Sequence, residues 1–226
     1  MIGYYDYTVI LTYMSLLSAV GGIALSTNDH PILATFCLMF SGMCDMFDGK
    51  VAQRKKNRTL EEKRFGIQID SLVDVIAFGV LPGVMTIELC NHSWYAYIAS
   101  AFYILAGVIR LGYYNVTEEL RQDQTDELRK SYSGLPITTA SMIFPFFYFL
   151  LALYCITLCH TQHFPQLFTF RVFRISLCSL TVLTGFAFIC PFRIRKPHSR
   201  ELWFFLGIGL FMAAVLLFVY LKVIAQ

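Results

Sequence analysis

The sequence predicts an all-α protein, a polytopic bundle of six to seven transmembrane helices, and three observations carry that prediction. Of its 226 residues 57% are hydrophobic and only 15% charged, where soluble globular chains carry roughly 25% charged residues. Apolar runs recur that are long enough for a membrane-crossing helix, which takes about 20 residues to cover about 30 Å of hydrocarbon. The basic residues collect in every second connection between those runs.

The apolar runs predict spans over 8–27, 31–52, 66–89, 94–116, 136–159, 172–191 and 201–224. No Lys or Arg precedes Lys50, and Asp6 stands where a signal peptide carries positive charge, so the first run reads as a retained span. Gly134-Leu135-Pro136 reads as a loop-to-helix junction, since proline is tolerated in the first helical turn. With no internal repeat or low-complexity tract, residues 1–226 read as a single integral membrane domain.

The net charge of +3 says little by itself; its placement says more. Segment 54–64 holds Arg54, Lys55, Lys56, Arg58, Lys63 and Arg64; segment 117–134 adds Arg121, Arg129 and Lys130; segment 192–200 adds Arg193, Arg195, Lys196 and Arg200. The alternate connections contain only Arg171, so the count is thirteen against one. By the positive-inside rule the three basic segments face the cytoplasm, together with the N-terminus. The expected setting is the cytoplasmic (inner) membrane of a bacterium or archaeon, with lipids as neighbours and no nucleic-acid partner.

Seven cysteines, at 37, 44, 90, 155, 159, 178 and 190, lie mostly within apolar runs and show no disulfide framework. Cys155, Cys159, His160 and His163 superficially resemble a zinc cluster. No second pair of ligands stands nearby, and they read better as a helix end followed by a polar loop.

Acidic residues within spans are rare and usually functional, each costing on the order of 3 kcal/mol at mid-bilayer. Four aspartates stand in the second and third runs: Asp45, Asp48, Asp70 and Asp74. The first pair is three apart and the second four apart, so each pair shares one helix face. An antiparallel hairpin closed by the basic segment 54–64 sets the two pairs opposite each other. Four carboxylates at low dielectric repel strongly, and a bound cation removes that repulsion. An all-oxygen site suits magnesium, manganese or calcium rather than zinc. Gly49, Ala52 and Gly66 add small residues beside the acids, leaving room for a ligand such as a diphosphate whose oxygens complete the coordination.

The run Asp45-x2-Asp48-Gly49-x2-Ala52 followed by Gly66-x3-Asp70-x3-Asp74 resembles the signature of the CDP-alcohol phosphatidyltransferases, D-x2-D-G-x2-A-R-x8-G-x3-D-x3-D. Three further stretches resemble the phosphatidylserine synthase branch of that family: DSLVDVIAFGVLP at 70–82, RLGYYNV at 110–116 and GLPITTA at 134–140. The resemblance implies transfer of a phosphatidyl group from CDP-diacylglycerol to L-serine with Mg2+ or Mn2+. It implies metal binding by Asp45, Asp48, Asp70 and Asp74, with Asp74 also the general base. Gly49, Ala52, Gln53, Arg54, Gly66 and Ser71 then line the nucleotide and substrate site, and Arg110 and Asn115 the acceptor or phosphate pocket. A homodimer is the assembly expected from the family.

Three positions depart from the pattern. Gln53 stands where the signature has arginine, with Arg54 next along; twelve residues separate Gln53 from Gly66 where the signature has eight; and Tyr113 stands where the synthase-like motif has a second arginine. The rival readings are the same transfer to glycerol phosphate or inositol phosphate, a divalent-cation transporter using the same acids, and an inactive relative that only binds.

Overall fold

The computed structural model describes residues 3, 7–55, 59–122, 131–158, 171–195 and 199–224. A short 3-10 turn (Tyr7–Val9) leads into α1 (Ile10–Thr27), and a tight turn with Asp29 at φ 62° reverses the chain into α2 (Pro31–Arg54). The third span runs without interruption through α3 (Leu60–Asp74), a π-helical segment (Val75–Val80) and α4 (Leu81–Leu89). Asn91 and His92, both at positive φ, turn the chain into α5 (Trp94–Gln122). After β1 (Ser131–Ser133) and a 3-10 turn (Ile137–Thr139) come α6 (Ala140–Leu158), α7 (Arg171–Ile189), β2 (Arg193–Arg195) and α8 (Ser199–Ile224).

Six helices among the described residues are long and apolar enough to cross a membrane, and Ile137–Leu153 is a further, shorter apolar helix. This is the multi-pass helical membrane architecture that the composition predicts. Two boundaries differ from the sequence reading. The third span begins at Leu60 rather than 66, because Thr59 and Glu62 form a reciprocal capping box that starts the helix inside the charged segment. Lys55 reinforces this cap through an ion pair with Glu62 at 3.2 Å. The fourth span continues to Gln122 instead of stopping at 116, and its last turns carry Glu118 bound through both oxygens by Arg121 (2.6 and 3.1 Å).

Close packing is concentrated where small or hydroxyl side chains let helices approach. Between α1 and α2, Ser18 donates to the Cys37 carbonyl and Ser41 to the Ser15 carbonyl, both at 3.0 Å. At the centre, Tyr103 of α5 is fully buried and packs its ring against Phe144 of α6 and Phe188 of α7, at 5.7 and 5.3 Å between centroids. The Cys90 and Cys178 thiols meet at 3.4 Å where the end of α4 touches α7. Cys37, Cys44, Cys90, Cys178 and Cys190 are free thiols. Cys159, His160 and His163 lie outside the described residues.

The three basic segments come together at one end. β1 and β2 form a two-stranded antiparallel ribbon, Ser131 opposite Arg195 and Ser133 opposite Arg193, that joins the 117–134 and 192–200 segments. Arg64 of the 54–64 segment approaches Glu119 at 3.7 Å. The ribbon is followed by Gly134 at φ +73°, where an added Cβ would lie 2.6 Å from the Phe188 carbonyl oxygen. Pro136 precedes the 3-10 turn rather than sitting inside the first turn of α6, so the junction expected at 134–136 is there with its proline one step earlier. Gly134→Ala should cost roughly 1–3 kcal/mol through left-handed backbone strain, and more through the carbonyl contact. A lowered melting temperature of the purified protein in detergent checks it.

Candidate active site

The site is built by α2, α3 and α5 at the end of the bundle that carries the basic segments. Asp45 and Asp48 stand on the last three turns of α2, six and nine residues before Arg54 in reverse order. At 1.5 Å per residue they lie about 14 and 9 Å from that helix end. Asp70 and Asp74 stand on α3, about 15 and 21 Å from its start at Leu60 by the same rise. The helix hairpin therefore brings Asp45 and Asp70 to nearly the same depth from opposite directions, with Asp48 nearer the helix ends and Asp74 deeper, while the i,i+3 and i,i+4 spacing keeps each pair on one face.

One carboxylate oxygen from each of Asp45, Asp70 and Asp74 lies within 4.8 Å of the others, a grouping that can hold a metal ion. Oxygens bound to one magnesium at about 2.1 Å are about 3 Å apart when adjacent and about 4.2 Å apart when opposite, so small side-chain rotations bring these donors onto one ion. The fourth acid, Asp48, is buried and its carboxyl hydrogen-bonds to that of Asp70. Ionised carboxyls only accept hydrogen bonds, so this contact needs a proton or a cation between the groups. The donor set is all oxygen, which fits a hard divalent ion. All four sequence-predicted aspartates are thus brought together, three in a tight group and Asp48 against Asp70.

The counter-charge comes from α5. Arg110 is buried, and its positive charge acts on both Asp45 and Asp74. Its guanidinium lies over the Tyr114 ring, 5.4 Å from the centroid, which holds the side chain from the other side. Asn115, five residues on from Arg110, accepts a hydrogen bond from Ser71 at 2.9 Å and donates to Gln68 at 3.4 Å. Two residues singled out separately in the sequence, Ser71 and Asn115, are therefore partners, and they clamp α5 to the helix bearing Asp70 and Asp74.

Gly49 is exposed, and nothing lies within 4 Å of where its Cβ would be. Open space thus adjoins Asp48 on the α2 side, as a bound ligand beside the acids requires. Gly66 is partly buried on α3, one turn before Asp70. Ala52, Gln53 and Arg54 belong to the last turn of α2; their side chains lie outside the described residues. Tyr113 is largely exposed. Sequence reasoning passed over Gln68 and Tyr114. Gln68 lies inside the predicted span, two before Asp70, a spacing that does not put residues on one face, whereas Tyr114 is i+4 from Arg110, a spacing that flags a same-face neighbour.

The fold and site define a polytopic helical membrane protein with an acidic, metal-competent centre at one end. Residues 7–173 match the CDP-alcohol phosphatidyltransferase family, and the chain belongs to that family. It is accordingly an enzyme, a phosphotransferase of phospholipid biosynthesis. Among curated proteins it is 27% identical over 199 residues to the CDP-diacylglycerol–serine O-phosphatidyltransferase of Helicobacter pylori, covering 87% of this chain and 74% of that one. It is 29% identical over 140 residues to the Saccharomyces cerevisiae protein of the same name, covering 59% of this chain and 49% of the relative. It is 31% identical over 137 residues to archaetidylserine synthase of Methanothermobacter thermautotrophicus, covering 60% and 52%. No solved structure matches the chain.

Proposed function

We propose that this chain, as a single catalytic domain of residues 1–226, transfers the phosphatidyl group of CDP-diacylglycerol to the hydroxyl of L-serine, giving phosphatidylserine and CMP. The observation that carries the reading is the convergence of Asp45, Asp70 and Asp74, with Asp48 alongside, on a space flanked by Arg110. The names of the bacterial, yeast and archaeal relatives all specify serine as acceptor, which supports the choice of alcohol. Mg2+ or Mn2+ held by the four aspartates would supply positive charge at the diphosphate.

The chain's own residues do the remaining chemistry. Serine's hydroxyl is a weak nucleophile at neutral pH, and Asp74 takes its proton as the new oxygen–phosphorus bond forms. The phosphorus–oxygen bond to CMP breaks in the same displacement. Arg110, fixed over Tyr114, holds a phosphate oxygen or the serine carboxylate with a two-pronged contact. The Ser71–Asn115–Gln68 chain keeps α5 and α3 in register while this happens. Gly49 leaves backbone bare for the nucleotide, with Ala52, Gln53, Arg54, Gly66 and Ser71 completing that side. The active site faces the cytoplasm of an inner membrane, on the side of the basic segments, and the protein works as a homodimer.

A phosphorylated acceptor calls for more cationic charge than serine does. Among the described residues Arg110 is the only buried basic side chain, and Tyr113 supplies none, which favours serine over glycerol phosphate or inositol phosphate. A cation transporter is disfavoured because such sites sit near the membrane midplane at broken helices or repeats, whereas the third span passes the acids as one continuous helix. The test is purified protein with CDP-diacylglycerol, Mg2+ or Mn2+, and labelled serine. The expected result is labelled lipid with equimolar CMP. CMP without labelled lipid points to another acceptor, and no CMP at all points to transport or binding.

A further inference from the structure

Between Asp74 and Pro82 the third span changes its hydrogen-bond spacing. The Val75 N–H reaches the Ser71 carbonyl four residues back, but the Leu81 N–H reaches Ile76, five back. Pro82 gives the reason. In an α-helix the Phe78 carbonyl would accept from residue 82, which as proline has no N–H and whose ring collides with that carbonyl. Widening into a π turn over Val75–Val80 relieves the collision. It also leaves the Phe78 carbonyl in the fully buried core without its α-helical donor, where an unmade hydrogen bond is costly. The Tyr103 hydroxyl, delivered from α5, donates to it at 2.5 Å.

The π turn accommodates one extra residue, and one residue is about 100° of rotation about the helix axis. α4 is anchored beyond the turn: Ser100 donates to the Gly83 carbonyl at 2.9 Å, and the Thr86 and Thr181 hydroxyls meet at 3.1 Å. Relative to α4 the turn sets the rotation of α3, where Asp70 and Asp74 face α2 and the Ser71–Asn115 bond fixes the result against α5. Seven residues along α5 from Tyr103, on the same face, Arg110 acts on Asp45 and Asp74.

We propose that Tyr103 is a positioning residue: by holding the π turn through the Phe78 carbonyl, its hydroxyl sets the angle at which Asp70 and Asp74 meet the carboxylates of α2. This rests on the reading of the aspartates as a metal centre. Loss of a group that orients metal ligands from behind typically costs about 10–100-fold in metal affinity or activity. Tyr103→Phe keeps the ring packing and removes only the hydroxyl. It should weaken Mn2+ binding, followed by the free-ion electron paramagnetic resonance signal, about 10–100-fold, and lower kcat while leaving the KM for serine near wild type. Tyr148→Phe removes another buried hydroxyl, one with no hydrogen-bond partner among the described residues, and should change neither quantity. Pro82→Ala returns the helical donor and removes the cause of the π turn, so it should weaken Mn2+ binding even with Tyr103 in place.

Wild-type Mn2+ affinity in Tyr103→Phe, whatever happens to its melting temperature, reduces Tyr103 to packing and overturns the inference. Wild-type affinity in Pro82→Ala overturns the rotation argument in the same way. A wild-type protein that binds Mn2+, with Tyr103→Phe weakened, yet makes no lipid from serine supports the inference and overturns the acceptor. A wild-type protein that binds no Mn2+ overturns the metal reading and the inference with it.

Discussion

Asp74→Asn should lower turnover by about 10²–10⁴-fold, the usual contribution of a positioned proton acceptor. Asparagine matches the carboxylate in size and keeps one oxygen for a metal, but it cannot take the proton from the serine hydroxyl. Asp74 is buried, so water is poorly placed to substitute for it. The loss should fall on kcat, with CDP and Mn2+ binding weakened far less, because Asp45, Asp48 and Asp70 still supply three carboxylates. Parallel measurement of CMP release, labelled lipid and nucleotide binding separates the two effects. Turnover near wild type would take the base role away from Asp74, and a collapse of metal binding would make it a ligand above all.

Removal of divalent metal should abolish activity, and the same treatment should destabilise the fold. Two ionised carboxylate oxygens 4.8 Å apart repel by about 3.5 kcal/mol at an effective dielectric of 20. Three such pairs arise within the Asp45, Asp70 and Asp74 group, and buried Arg110 offsets only part of this. A cation that binds the folded state alone stabilises it by about 2.7 kcal/mol at a hundred times its Kd. Protein stripped with a chelator should therefore melt at lower temperature and make no lipid. Mg2+ or Mn2+ should restore both, and Na+ at equal ionic strength should restore neither. Full activity after exhaustive chelation would remove metal from the mechanism.

How far the molecule could be read in advance depended on whether a feature was local. The four aspartates were legible because their spacing puts them on helix faces and their setting is apolar enough to make them anomalous. The early start of α3 had a local signal too, Thr59 followed three residues later by Glu62, but the charged run Leu60–Arg64 looked like loop and hid it. The π turn left no mark in the periodicity, since a uniformly apolar run gives the same pattern with or without one extra residue; only Pro82 betrayed it. The β1–β2 ribbon pairs residues sixty or more apart in sequence, and three-residue strands reading Ser-Tyr-Ser and Arg-Ile-Arg carry no pattern that foretells their partner. Arg110 was picked out by motif likeness, yet its place beside Asp45 and Asp74 became visible only when α5 was set against the hairpin.

The stretch between Gln53 and Gly66 holds four residues more than the signature it resembles, and the half of that stretch from Leu60 onward is helix. Four residues make close to one full turn, about 6 Å of rise. A surplus of that size taken up in α3 would lengthen the helix outward without twisting Gly66, Asp70 or Asp74 away from their neighbours. The first turns of α3 then stand beyond the acids as a charged rim, two acids followed by two bases from Glu61 to Arg64, on the way in from water.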